Sequence, residues 1–236
     1  MDLGDPASIS SVFSRFPTIR TVVDGIPPAR DGSPDRYVQN LIYALGHGAV
    51  ELIVYLSTTG VFGERHGAWV DERSLPKPWH PQGQARLLCE ERYRASPIRS
   101  CSLRIPAIYG PGRGIEHALR AGTYRLIDDG GSWTNRIHVN DLADVIGALL
   151  RTPPDQISNV LCINDDRPTR QIDLVTEVCA RLKLPLPPSI TSREAEERGN
   201  FTMLSNQRVA NTQMKALLGK PLRYPTYLSW LDETSR

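Results

Sequence analysis

The sequence predicts an α/β architecture, a mostly parallel sheet covered by helices. Apolar strand-like runs alternate along the chain with amphipathic helical runs. The run Glu51–Ser57 is continuous and β-prone, as in a strand buried on both faces. With 236 residues the chain suffices for one domain with a full core, or a domain plus a smaller lobe. Hydrophobic residues at 40% and charged residues at 23% exclude a disordered chain.

The elements follow in order. Ile19–Gly25 reads as the first strand, closed by Ile26-Pro27-Pro28. A helix runs from near Pro34 to Leu45, with Tyr37, Leu41 and Leu45 on one face and Gly46-His47-Gly48 as its stop. After the strand Glu51–Ser57 comes a loop rich in Gly and Pro, from Gly60 to Pro81. The helix Gln82–Tyr93 and the strand Arg99–Pro106 complete a unit whose right-handed crossovers set the strand ends along one edge. Arg136–Val139 is a short strand, and Asn140 caps a helix through Leu150. Asn159–Ile163 is a further strand, followed by helices at Thr169–Leu182 and Asn206–Leu218, the last stopped by Gly219. Leu184–Pro188 reads as a connector, and Glu194–Arg198 as a solvated helical or loop face.

A net charge of +2 gives no electrostatic case for nucleic acid or a membrane surface as partner. No apolar run is long enough to span a bilayer, and Met1–Ser10 has neither the basic nor the apolar region of a signal peptide. The triplet Asn200-Phe-Thr202 is therefore read as a chance match to a glycosylation site. Cys89, Cys101, Cys162 and Cys179 lack zinc-type spacing, so no metal site is expected. Cys89, Cys162 and Cys179 sit among apolar neighbours, which predicts buried, reduced thiols and a cytoplasmic location.

Four segments carry a resemblance: Tyr55-Leu-Ser-Thr-Thr-Gly-Val-Phe-Gly63, Leu103-Arg-Ile-Pro-Ala-Ile-Tyr-Gly-Pro-Gly-Arg113, Arg136-Ile-His-Val-Asn-Asp-Leu-Ala143, and Ser205-Asn-Gln-Arg-Val209 with Leu217-Leu-Gly219. In this order and spacing the chain resembles the NAD-dependent epimerase/dehydratase family, the extended short-chain dehydrogenases, and within it an atypical branch. The likeness runs from about Gly4 to the end. It implies a Rossmann-like parallel sheet with a small C-terminal substrate lobe. Residues 1–110, continued by 136–165, would form a partial dinucleotide-binding domain, and 111–135 with 166–236 the lobe.

A dinucleotide fold opens with a strand, a Gly-rich turn and a helix, and nothing before Ile19 fits that unit. Met1–Asp5 instead is similar to the end of the family's third strand. The expectation is a sheet whose first strands are missing, as from a late start codon or a split gene. Ile19–Gly25 would then be an exposed edge that invites homo-oligomers.

The resemblance also implies roles. Family members transfer hydride to and from NAD or NADP, many of them on sugar nucleotides, with a Ser/Thr, a Tyr and a Lys. The hydroxyl carries over as Thr58. The family's Tyr-x-x-x-Lys aligns with Gln82-Gly-Gln-Ala-Arg86. An amide has no proton to exchange near neutral pH, so Gln82 cannot serve as the acid/base. Arg86 stays charged and can still hold a ribose hydroxyl or phosphate. His80 titrates in the right range, although the ordinary reading is a solvated loop histidine.

For the cofactor, the resemblance sets Asp5 at the adenine and Gly25, Ile26 and Pro27 at the pyrophosphate and adenine ribose. It sets Ser57, Thr58 and Arg86 at the nicotinamide ribose, and Ile105, Pro106 and Ala107 at the ring, with strand-end packing an equal reading for Ile105 and Pro106. Tyr109, Arg136 and His138 fall where the lobe meets the sheet and would face a small-molecule substrate, with a packed or hydrogen-bonded histidine the more ordinary reading of His138 on a strand. Gly110-Pro-Gly112-Arg-Gly114 is either a plain turn or an anion nest. Three functions stay open: an NAD(P)-binding oxidoreductase or epimerase, a non-catalytic scaffold or sensor, and a partner protein that dimerises through the helix Gln82–Tyr93.

Overall fold

The computed structural model describes residues 1–29, 32–46, 48–199 and 204–234. Its main sheet is parallel, in the order Thr21–Asp24, Leu52–Thr58, Arg99–Ile105, Val160–Cys162. Parallel neighbours need crossovers. Helices Arg36–Leu45 and Pro81–Arg94 supply the first two, and Val139–Arg151 lies in the third.

Side-chain alternation divides the core. Leu52, Val54, Cys101, Leu103 and Ile105 pack on one face against Leu142, Val145 and Leu149 of the helix Val139–Arg151. Ile53 and Tyr55 face the other way, toward Val38, Leu41, Leu45, Cys89 and Tyr93. In the helix Arg36–Leu45 the buried residue of the first turn is Val38, while Tyr37 is half-buried. Leu41 and Leu45 are buried as expected, and in the first turn Val38 takes the buried place expected of Tyr37. Gly46 ends this helix in ordinary right-handed geometry. His47 of the expected stop, and the triplet Asn200-Phe-Thr202, lie outside the described residues.

Two helices went unrecognised. Pro6–Arg15 is capped by Asp5, whose carboxylate accepts the Ala7 and Ser8 N–H groups at 2.9 and 3.2 Å. Its Ile9 packs with Val38 and Tyr93. Met1–Asp5 is therefore a turn leading into a helix, not a strand end. Tyr227–Thr234 supplies Tyr227, Leu228, Trp230 and Leu231 to a second core shared with Tyr109, Leu126, Leu174 and Val178. The expected last helix from Asn206 starts only at Thr212, because Arg208–Val209 pairs as a short parallel strand with Trp69–Val70. Glu194–Arg198 falls in the capped helix Ser192–Glu197 and its C-cap, with Ala195 buried beneath it. All four cysteines are free and buried, and among the described residues no helix is long and apolar enough to cross a membrane.

Candidate functional site

The C-terminal ends of the parallel strands meet at one edge of the sheet, where open α/β sheets bind ligands. Thr58 ends its strand and leads into the 3-10 turn Thr59–Phe62. Its Oγ1 accepts the Gly60 N–H at 3.1 Å, which leaves the hydroxyl proton to be donated. Ser57 points the opposite way, since neighbouring residues on a strand alternate. Its hydroxyl donates to Glu90 Oε1 at 2.5 Å within the protein. The expectation that Ser57 and Thr58 both face a nicotinamide ribose is corrected accordingly. Arg104 shares the inward side with Ser57. Its Nη2 donates to Glu90 Oε2 at 2.9 Å, and its guanidinium lies 4.7 Å from the Phe62 ring centre.

His80 is 2% exposed and caps the helix Pro81–Arg94, its Nδ1 accepting the Gly83 N–H at 3.1 Å. It is not a solvated loop residue, and burial holds its pKa below the usual histidine value. Gln82 is exposed on the first turn of this helix. Arg86 follows one turn later and is half-buried. Its Nη1 donates to Ile26 O at 3.3 Å, Tyr55 Oη at 3.0 Å and Leu56 O at 3.0 Å. One guanidinium thus ties together the ends of two adjacent strands.

Two cavities flank this edge. The larger, about 470 Å³, is lined by Thr58, Pro106, Ala107 and Arg136 among the expected residues. The smaller, about 450 Å³, is lined by Pro27, Gln82 and Arg86. The aligned trio is therefore split: Thr58 lines one cavity, Gln82 and Arg86 the other. Ile105 is 6% exposed and packs in the core, so strand-end packing describes it. Ile26 is held by its N–H to Asp24 Oδ1 at 2.8 Å and by Arg86 on its carbonyl. Gly25 packs so tightly on Leu56 that an added Cβ would lie 3.3 Å from Leu56 Cδ1. Gly110 and Arg113 exchange backbone hydrogen bonds at 2.8 and 2.9 Å, which makes the Gly110–Gly114 segment a closed turn.

Tyr109 and His138 do not line either cavity. Tyr109 is 2% exposed and donates its hydroxyl to Tyr224 O at 3.3 Å. The His138 ring lies 4.0 Å from that of Tyr224 and 5.3 Å from that of Tyr109. His138 Nδ1 accepts the Asn140 N–H at 3.1 Å, so His138, not Asn140, caps the helix Val139–Arg151. Burial in this aromatic cluster lowers its pKa. Arg136 does reach the larger cavity, with Nη1 donating to Thr134 Oγ1 at 2.6 Å.

Other residues of the larger cavity were not foreseen: Arg113, Tyr124, Trp133, Ser205 and Gln207. Trp133 has the Arg170 and Arg208 guanidinium carbons 5.6 and 4.8 Å from its ring centre. The segment Ser205–Val209 was visible as a motif. Its place against Thr59 became evident only with the short strand pairing of Arg208–Val209 and Trp69–Val70.

Behind Arg136, the buried Asp165 takes its neighbour's carbonyl through its own backbone N–H at 2.6 Å. Desolvation raises its carboxyl from 3.8 to about 7, against the Arg167 N–H and Arg136, which lower it. A raised acid favours the protonated folded state, so this stabilisation is complete below pH 3.8 and is lost as pH rises toward about 7. D165N should flatten the fall in stability across that window, as read from urea unfolding at a series of pH values. An unchanged pH slope would contradict the assignment.

A family model of the NAD dependent epimerase/dehydratase family matches residues 36–160. A functionally unknown conserved protein from Silicibacter pomeroyi is 32% identical, with 92% of this chain aligned to 77% of that one and a TM-score of 0.78. The UDP-glucuronic acid 4-epimerase from Bacillus cereus, solved with UDP-glucuronic acid and NAD, is 20% identical over 99% of this chain and 81% of its own, TM-score 0.75. A dTDP-glucose 4,6-dehydratase from Streptomyces venezuelae, solved with NAD, is 15% identical over 99% and 76%, TM-score 0.79. At those identities the last two show the shared fold alone. No curated protein matches the chain. The matched family model, the Silicibacter relative and the Rossmann-like sheet agree: this chain belongs to the NAD-dependent epimerase/dehydratase family.

Proposed function

We propose that this chain binds NAD or NADP at its strand ends and takes a sugar nucleotide or similar small polar metabolite in the larger cavity, for hydride transfer. One observation carries the reading: Thr58, at the end of a central parallel strand, shares a cavity of about 470 Å³ with Arg113 and Arg136. Thr58 offers a hydroxyl proton to a substrate oxygen, and the two arginines offer charge to a phosphate or carboxylate. Structural neighbours solved with sugar nucleotides and NAD support the ligand class.

The residues fit the nicotinamide half of the cofactor. Thr58, Pro106 and Ala107 line one cavity at the strand ends, and Pro27 and Arg86 the adjoining one. NAD(P), when bound, supplies the acceptor and donor of hydride. Arg86 holds the strand ends in register and presents positive charge beside the ribose position. Gln82 moves no proton, so turnover depends on another group or is slow. The Asp5 carboxylate already caps a helix, which leaves it less available to an adenine.

A second reading is a scaffold that no longer binds the cofactor tightly. It is favoured by the engagement of Arg86 with three internal acceptors. Mixing the protein with UDP-glucose and NAD and following nicotinamide fluorescence distinguishes the two. Appearance of reduced cofactor supports hydride transfer, and absence of both reduction and cofactor binding supports the scaffold.

The compartment proposed is the cytoplasm, in keeping with four unpaired thiols. Self-association is also proposed. Thr21–Asp24 pairs on one side only among the described residues, and its Val23 is 40% exposed. Sedimentation velocity should show concentration-dependent association. A single monomer boundary over a wide concentration range would remove this part of the proposal.

A further inference from the structure

Two buried polar atoms in the wall of the larger cavity have no hydrogen-bond partner among the described residues: Ser205 Oγ and Gln207 Oε1. Ser205 is 8% exposed and Gln207 is 1% exposed. The direction of the Gln207 amide is settled by its other end, since Nε2 donates to Thr59 O at 2.9 Å. The group left over is the acceptor. The backbone around it is braced by Asn135, whose Nδ2 donates to Gln207 O at 2.8 Å and whose Oδ1 accepts the Val209 N–H at 2.9 Å. Both ends of the Asn135 amide are thereby occupied in holding this backbone, and the Gln207 side chain is held by its own bond to Thr59 O.

This acceptor sits beside Thr59, next to the Thr58 hydroxyl that has a proton to give. The Thr58 end of the cavity therefore offers one donor, Thr58, and one acceptor, Gln207, while the cavity wall adds the Ser205 hydroxyl, which can act as either. An amide oxygen repels a phosphate or carboxylate oxygen and pairs with O–H or N–H. Anionic groups are accommodated instead by Arg113 and Arg136 of the same cavity. A buried acceptor left unpaired carries a desolvation penalty that a ligand donor removes on binding.

We propose that Gln207 Oε1 and Ser205 Oγ are ligand contacts that select a neutral, hydroxyl-bearing group, the sugar ring of a sugar nucleotide, at the Thr58 end of the cavity. The proposal rests on the ligand-binding reading above and adds which part of the ligand meets which wall. Its rival is a trapped water, which needs two to four polar partners and would find them here without any ligand.

Calorimetric titration of the full chain with UDP-glucose and with UDP, both in the presence of NAD, tests it. Q207M keeps the side-chain length and removes the acceptor together with the Nε2 bond to Thr59 O, and only the acceptor's loss would distinguish the two ligands. It should weaken UDP-glucose by about tenfold or more and leave UDP unchanged. Equal losses for both ligands, or no loss for either, would overturn the proposal. Should Q207M fail to fold, a crystal structure of the wild-type chain with UDP-glucose decides. A sugar hydroxyl within about 3.2 Å of Gln207 Oε1 supports the contact, and a water in that place overturns it. Failure of the wild-type chain to bind either nucleotide would overturn the sugar-nucleotide reading and this proposal with it. Selective loss in the variant separates the two.

Discussion

E90A is expected to destabilise the protein by about 3–5 kcal/mol, because it strands a buried guanidinium. Arg104 is 4% exposed and Glu90 is 6% exposed, and they pair at 2.9 Å between the strand Arg99–Ile105 and the helix Pro81–Arg94. Arg104 Nη1 already lacks a hydrogen-bond partner among the described residues, so the Glu90 carboxylate is the main compensation for the charge. Ser57 would lose its acceptor as well. For a chain of this length the loss corresponds to a fall in melting temperature of roughly 6–20 °C. The double variant E90L/R104M should recover most of it, since an apolar pair of similar volume avoids the desolvation cost. Urea unfolding of the two variants measures both effects. A loss below about 1 kcal/mol in E90A would show that the pair contributes little.

G63A should cost at least about 3 kcal/mol and disturb the Thr58 turn with it. Gly63 ends the Thr59–Phe62 turn with φ 72° and ψ −162°, a region essentially reserved for glycine. A Cβ there would lie 2.1 Å from the backbone oxygen of Lys77, which cannot yield as a side chain could. Because Val61 O accepts the Lys77 N–H at 3.0 Å, the clash falls on the contact that fixes this turn beneath the cavity. Ligand affinity should fall together with stability. By contrast, an alanine at Gly112, where φ is 72° but nothing lies within 4 Å, meets only backbone strain and should cost less. Similar costs at the two glycines would contradict the steric account.

Much of this arrangement was legible in the chain. The strand at 52–58 announced itself through an unbroken β-prone run, and the alternation of elements placed the helix Pro81–Arg94 and the strand Arg99–Ile105 after it, with Pro81 read as the end of the preceding loop. Thr58 and Arg136 came from motifs and do line one cavity. Strand alternation alone separates Ser57 from Thr58, but a strand with a core on both faces does not show in sequence which of the two meets the cavity. The helix Pro6–Arg15 was concealed by a resemblance that made Met1–Asp5 a strand end, although Asp5-Pro6 is itself a cap and first-turn signal. His80 reads as a solvated loop residue because composition does not reveal that an imidazole nitrogen can cap a helix from within the core, whereas the packed, hydrogen-bonded reading of His138 agrees with its burial. The orientation of the Gln207 amide was out of reach of sequence, because the Thr59 carbonyl that accepts its Nε2 lies 148 residues away along the chain.

The most direct test of the account is calorimetric titration of the purified chain with NAD, NADH, NADP and NADPH, beside a T58A/R86A control. Micromolar binding of at least one cofactor, lost in the control, is the result expected of the proposed nicotinamide seat at the strand ends joined by Arg86. No binding at millimolar cofactor would contradict it and leave the scaffold reading in its place.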